Sequence, residues 1–258
     1  MIEDFFVLEA VLVALAGLCF GSFITLASYR LPLEEDIVRK PSRCPKCGTS
    51  LRFIDLWPVL SWLLNKGRCR YCTAEISARY PLIELATAAL FLLVYGFFGI
   101  TAQSVILMLL VVLLLVMIIA DLEHYIIPDQ VHLALLPLGI VYHYVMVSDP
   151  EPLAAGLVSG GLIGLALHYG YRHLRKKEGL GFGDVKFFAV AGLWLGFKPI
   201  VPFLFIAGLL GVVTGLGWRV LRRGEIFPFG PALAVALFIC VAFPEVSKAF
   251  WNIGKILH

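Results

Sequence analysis

Two aspartates in this sequence sit where a chain has little local reason to keep a charge. Asp121 closes the aliphatic run LLLVMIIA at the C-terminal end of an expected helix, where the macrodipole disfavours an anion. Asp184 ends GLGFGD, directly against another apolar stretch. An N-cap role would account for it, but Gly179, Gly181 and Gly183 precede it. Glycines permit close backbone approach and unusual dihedrals, so an extended peptide could lie against this carboxylate. Two carboxylates brought together cannot both ionise easily. One keeps a proton and acts as an acid while the other activates water, which is the chemistry of an aspartyl protease. Other acidic groups border apolar segments and are expensive there until a cap or partner accounts for them. Asp129 follows Pro128 and is expected to cap a helix, leaving it and Glu123 in supporting or structural roles. Glu9 can reach water near an outer helix end. Glu84, in YPLIELAT, is expected either to pair with Arg79 or to serve a second activity at the same face.

A second constellation is CPKC followed by CRYC. Cys44, Cys47, Cys69 and Cys72 form two C-x-x-C knuckles, each turning two sulfurs toward one point, and together they make a closed tetrahedron suited to structural zinc. Disulfides or a redox dithiol are the competing reading, and a reducing compartment argues against them. A four-thiolate site has no open position for a reacting water, so such a metal holds a fold. Cys19 and Cys240 lie in apolar spans and read as small buried hydrophobes.

The elements that must position these groups are dictated by composition. The 258 residues are 60% hydrophobic and 15% charged, with a mean hydropathy of +0.90. This describes an all-α polytopic membrane protein, since a β-barrel would show short alternating segments. Apolar windows predict about eight transmembrane helices, near 6–28, 82–99, 102–120, 130–147, 153–171, 185–197, 199–218 and 228–243. Glu3 and Asp4 replace the basic start of a signal peptide, so the first span is expected to be retained. Lys and Arg fall in three clusters: the first loop from Arg30 to Arg79, the flank of GFGD (Arg172, Arg175, Lys176, Lys177, Lys186), and Arg219, Arg222 and Arg223. Lys198, Lys248 and Lys255 fall on the other side. An external N-terminus puts all three clusters in the cytoplasm. The net charge of +3 then reflects topology, and no nucleic-acid partner is implied. Residues 1–29 make the first transmembrane helix, 30–80 a small cytoplasmic zinc-binding loop, and 81–258 a helical bundle carrying the aspartates.

With these residues in view, the chain resembles the bacterial type IV prepilin peptidases, leader peptidases and N-methyltransferases among the membrane GxGD aspartyl proteases. The resemblance runs through GSF at Gly21–Phe23, RLP at Arg30–Pro32, both C-x-x-C pairs, RYPLIELAT at Arg79–Thr87, the I-P-D that ends at Asp129, GFGD at Gly181–Asp184 and PFGPALA at Pro228–Ala234. One departure is Thr25, where the family usually has Asn shortly after GSF; Thr retains a hydrogen-bonding side chain. The resemblance implies that Asp121 and Asp184 are the catalytic pair. It implies as substrates type IV prepilins or type II secretion pseudopilins, cleaved after a glycine at the cytoplasmic face of the inner membrane. It also implies methylation of the new N-terminus by S-adenosylmethionine. No glycine-rich nucleotide fingerprint locates the methyl donor, and the loop with its junction at Glu84 is the expected region.

Two other classes use parts of the same pattern. A thiol-disulfide oxidoreductase would use the cysteines but needs the loop on the oxidising side and leaves the aspartates idle. An ion- or proton-coupled transporter would use the aspartates, yet relay carboxylates sit near mid-bilayer at broken helices rather than together at one face. Peptide cleavage distinguishes them, because only a protease makes two products.

Overall fold

Apolar stretches of this length satisfy their backbone in hydrocarbon by forming helices, and the computed structural model is helical accordingly. It describes residues 2–147, 153–176, 179–221 and 227–256. Lys177, Arg222 and Arg223 of the expected basic clusters lie outside the described residues, as do the side chains of Glu3, Asp4, Arg175 and Lys255. In chain order the helices are α1 (Ile2–Arg30), α2 (Leu60–Leu64), α3 (Arg79–Phe98), α4 (Ala102–His124), α5 (Asp129–Met146), α6 (Leu153–Arg175), α7 (Phe182–Leu195), α8 (Ile200–Val220), α9 (Gly230–Ala242) and α10 (Pro244–Ile256), with 3-10 turns at Leu31–Leu33 and Phe53–Leu56.

The structure does not confirm the expected count of eight spans. A helix stands at each expected position, and among the described residues 5 are long and apolar enough to cross a membrane, α1, α3, α4, α6 and α8. The bent pair α9 and α10, turned by 94° at the break, would make a sixth. With 14 residues, α7 rises only about 21 Å against a hydrocarbon core of about 30 Å. α5 is 18 residues long and carries Asp129, Gln130, His132 and His143.

The chain divides into two compact units, Met1–Val116 and Met117–His258. In the first, α1 and α3 run antiparallel at close range because α1 carries two glycines four residues apart, Gly17 and Gly21, on the facing stripe. A Cβ on Gly17 would stand 2.6 Å from the Ala88 Cα, and one on Gly21 would stand 2.5 Å from the Glu84 Cα. The pair is pinned at both ends: Arg79 donates to the Ser28 hydroxyl at 3.0 Å, and Tyr95 donates to Glu9 at 2.8 Å. Glu9 therefore has a protein partner, where the sequence alone left it to water. Thr25 bonds back to its own helix, its hydroxyl donating to the Ser22 carbonyl at 2.7 Å. Cys240 is buried as expected, whereas Cys19 is exposed on α1.

In the second unit α7 is largely apolar, and its body from Phe187 to Trp194 is mostly buried by protein. Against α6, a Cβ on Gly160 would meet the Phe188 carbonyl oxygen at 2.2 Å, and one on Gly192 would meet the Gly156 carbonyl oxygen at 2.1 Å, so only glycine allows this approach. Against α5, Trp194 Nε1 donates to the Leu135 carbonyl at 3.0 Å, and His143 Nε2 bonds the Leu193 carbonyl at 2.8 Å. These contacts fix α7, and with it Asp184 in its first turn.

Candidate active site

Both aspartates are buried in the second unit. Asp121 sits in the last turn of α4, and its Oδ2 accepts the Gly230 N–H at 2.7 Å, from the first residue of α9. That bond offsets the unfavourable helix end. A Cβ on Gly230 would lie 2.7 Å from the same oxygen, so the approach requires glycine. Asp184 is the third residue of α7, and its Oδ2 reaches back to the Gly181 N–H at 3.0 Å. It supplies the carboxylate half of a capping box and not the N-cap itself, which is Gly181. The two carboxylates are near enough for the charge of Asp121 to act on Asp184.

A cleft of about 240 Å³ opens beside Asp184, lined by Tyr125, Ile126, Ile127, Asp129, Gly181, Phe182, Gly183 and Lys186. Asp121 is not among its lining residues. Of the glycines before Asp184, none takes the left-handed conformation that the sequence made plausible. Their use is close approach: a Cβ on Gly183 would meet the Ile127 Cβ at 3.2 Å, and one on Gly179 would run into the Tyr171 ring. His168 of α6 holds the same approach from behind, its Nδ1 on the Leu180 carbonyl at 2.8 Å.

Tyr125 is the strained residue of the cleft. Its φ of 56° ends α4 in the left-handed region, a conformation costing an L-residue about 1–2 kcal/mol. The Trp218 ring stands edge-on to it with centroids 6.4 Å apart. Asp129 is the first residue of α5, whose N-cap is Pro128 with no side-chain cap bond, so the expected capping role is not the one it plays. Its carboxylate instead takes Lys186 Nζ at 2.7 and 2.9 Å. Tyr125, Lys186 and Gly230 were not singled out for the site from the sequence. Gly230 lies in the PFGP motif and Lys186 two residues after Asp184, and both were visible there as motif or flank without an assigned role.

In the first unit the four cysteines converge, with all four sulfurs within 4.8 Å of one another. Cys44 and Cys72 Sγ are 3.8 Å apart, matching the edge of about 3.8 Å expected for a tetrahedron with Zn–S near 2.3 Å. Each knuckle is a tight turn of the same design. Cys44 N–H donates to the Thr49 carbonyl at 3.0 Å and Gly48 N–H to the Cys44 carbonyl at 2.9 Å; Cys69 with Ala74 and Thr73 with Cys69 repeat them at 2.8 and 2.9 Å. Thr49, through its hydroxyl and then its backbone, holds the Cys47 thiol down to about 6. Backbone N–H groups of Tyr71 and Cys72 lower that of Cys69. Cys72 goes the other way, the Ala74 N–H being outweighed by burial and the neighbouring sulfurs, which push it up to about 12, so the turns favour the thiolate at Cys47 and Cys69. Asp55 joins the two halves of the loop, accepting the Arg52 N–H at 3.0 Å and the Tyr71 hydroxyl at 2.9 Å.

Glu84 has partners other than the expected Arg79. It is buried, and Oε2 accepts the Val59 N–H at 2.6 Å. Its carboxylate ties the loop to α3.

Comparison with known proteins agrees with this geometry. Residues 15–98 match the bacterial peptidase A24 N-terminal domain, and residues 108–216 match the type IV leader peptidase family. The chain is 33% identical to a prepilin leader peptidase/N-methyltransferase of Aeromonas salmonicida, over 95% of this chain and 94% of that one. It is 34% identical to a protein of the same name from Pseudomonas aeruginosa, over 88% of each. A Myxococcus xanthus protein of that name is 36% identical over 78% of this chain and 60% of its own length. No solved structure matches. Taken with the two aspartates, the GFGD turn and the four-cysteine loop, these similarities establish that the chain belongs to the type IV leader peptidase family.

Proposed function

We propose that this chain is a multi-pass aspartyl endopeptidase of the inner membrane. Its substrates are type IV prepilins or type II secretion pseudopilins, whose leader it removes after a glycine at the cytoplasmic face. It then methylates the new N-terminus with S-adenosylmethionine. The observation that carries the proteolytic reading is a pair of buried carboxylates from α4 and α7, each held by one backbone N–H beside an open cleft. Asp121 and Asp184 share one proton in this reading. The ionised carboxylate takes a proton from water as its oxygen adds to the scissile carbonyl, and the protonated one donates to the carbonyl oxygen. Collapse of the tetrahedral intermediate returns a proton to the leaving amine, regenerating the pair. Gly181 and Gly183 line the cleft along which the substrate backbone would lie, with Asp129 and Lys186 there as a supporting ion pair.

Cys44, Cys47, Cys69 and Cys72 would hold one zinc, which supplies no reacting water and fixes the fold of the loop at residues 30–80. That loop serves methyl transfer, and the helices within 81–258 serve proteolysis. Support for the loop's cytoplasmic placement comes from its basic residues. Glu84, engaged by the Val59 N–H, is a structural anchor here and not a reacting group.

Incubating the purified chain with a candidate pilin and reading intact mass tests both activities. The reading requires loss of the leader, followed by a methyl increment when S-adenosylmethionine is present. An uncleaved pilin, with the enzyme folded, would oppose it.

A further inference from the structure

The polar loop between α1 and α3 contains a segment that does not suit water. Phe53, Ile54, Trp57, Leu60, Leu63 and Leu64 are 76%, 53%, 45%, 43%, 57% and 68% exposed, within one stretch of sequence. Contiguous exposed apolar groups of this kind mark an interaction surface. Elsewhere in the loop the exposed large apolar side chains, Leu33, Val38 and Tyr71, are scattered singly, so the cluster is local to this segment.

Its depth relative to the spans is fixed by one bond. Val59 N–H donates to Glu84, which is already inside α3. From Arg79 to Glu84 the helix rises about 7–8 Å, so the middle of the segment lies level with a residue well within a membrane-crossing helix. Glu84 in turn lies against Gly21 of α1, the other span. The backbone is forced to accommodate this attachment. Val59 takes φ 59°, a genuine outlier for a β-branched residue. Both ends of the loop are tethered to the same membrane face, since α1 and α3 run antiparallel. Charge agrees with depth: Arg52 precedes the segment, Lys66, Arg68 and Arg70 follow it, and all four are exposed.

We infer that Phe53–Leu64 is an in-plane membrane anchor, lying in the headgroup and acyl boundary of the bilayer that α1 and α3 cross, with lipid as its ligand. Acyl chains cover the apolar side chains, and the flanking Lys and Arg meet anionic headgroups. Trp57 sits at the level where its amphipathic ring is favoured. Glu84 sets the depth of the segment.

Photo-cross-linking in the full-length chain tests this. p-Benzoylphenylalanine is placed at Phe53 or Leu63, and at exposed Ser50 or Thr73 as controls, in nanodiscs of phosphatidylethanolamine and phosphatidylglycerol, with products read by intact mass. Adducts of one phospholipid mass are expected at Phe53 and Leu63, about five-fold or more above the controls. Replacing phosphatidylglycerol with phosphatidylcholine should lower that yield about two-fold. Adducts no higher than at the controls would overturn the inference. So would products at Phe53 and Leu63 dominated by a second copy of the chain, or by an added pilin, because the patch would then be a protein-docking face. An unchanged yield on removing phosphatidylglycerol would overturn the headgroup contact. Neither position touches the carboxylate cleft, so these outcomes are independent of whether a pilin is cleaved.

Discussion

The cysteine loop and the carboxylate cleft are assembled by opposite means. In the loop, each ligand is delivered by a turn that closes within a few residues, and the same backbone bonds recur in both knuckles. In the cleft, Asp121 is fixed by a glycine 109 positions away, and Asp184 is carried by a helix whose place depends on glycine contacts with α6. The local site therefore depends for its fold on the groups that would bind its metal. The long-range site depends on helix packing, so its reactive side chains can be replaced while the scaffold stands.

That contrast is sharpest in isosteric substitutions. Asp121→Asn and Asp184→Asn should each lower leader cleavage on the order of 10⁴-fold, with zinc content and helical circular dichroism unchanged. The double variant should be no worse than either single one, because the pair acts as a unit. Cys44→Ser or Cys69→Ser should do the reverse: zinc is lost, and with it about 10–16 kcal/mol of binding that is also folding of the loop. Methyl transfer should disappear while cleavage persists, as metal analysis beside the intact-mass assay would report. If cleavage failed equally, the separation of the two regions would be broken.

Two glycines refine the comparison at smaller amplitude. Gly230→Ala places a methyl 2.7 Å from Asp121 Oδ2, displacing the carboxylate. A 10- to 100-fold loss of cleavage rate is expected, about the effect of a misplacement of this size, with metal content intact. Gly48 has nothing within 4 Å but φ +69°, so Gly48→Ala carries only a backbone cost of about 1 kcal/mol. It should weaken metal retention about five-fold in a chelator competition and leave cleavage unaltered. The smallest effect belongs to Asp129→Asn. Its pair with Lys186 joins side chains 63% and 45% exposed, and such pairs contribute about 0.2–1 kcal/mol. Cleavage should stay within about two-fold of the parent.

The means of assembly also governs what the sequence makes legible. Knuckle spacing encodes the cysteine cluster because the turns that build it are local. Asp121 is legible through its poor fit at a helix end, but its stabilising partner is not: Gly230 belongs to another helix and carries no periodic signal. Asp129 looked like a cap because it follows a proline, and its partner Lys186 lies on α7, invisible from its own neighbourhood. The number of spans is hard to read for a related reason. A window of apolar residues cannot tell a helix that crosses lipid from one such as α7 whose body is mostly buried by protein. The role of Glu84 was open for want of Val59, whose position depends on the path of the loop.

The most direct test of the central claim sets Asp121→Asn, Asp184→Asn and Asp129→Asn beside the parent chain, each purified and incubated with one pilin, with intact mass as readout. The account predicts full-length pilin from the first two and the shortened pilin from the third. Shortened pilin from Asp121→Asn at the parental rate, together with an inert Asp129→Asn, would contradict it and move the catalytic pair to Asp129 and Asp184.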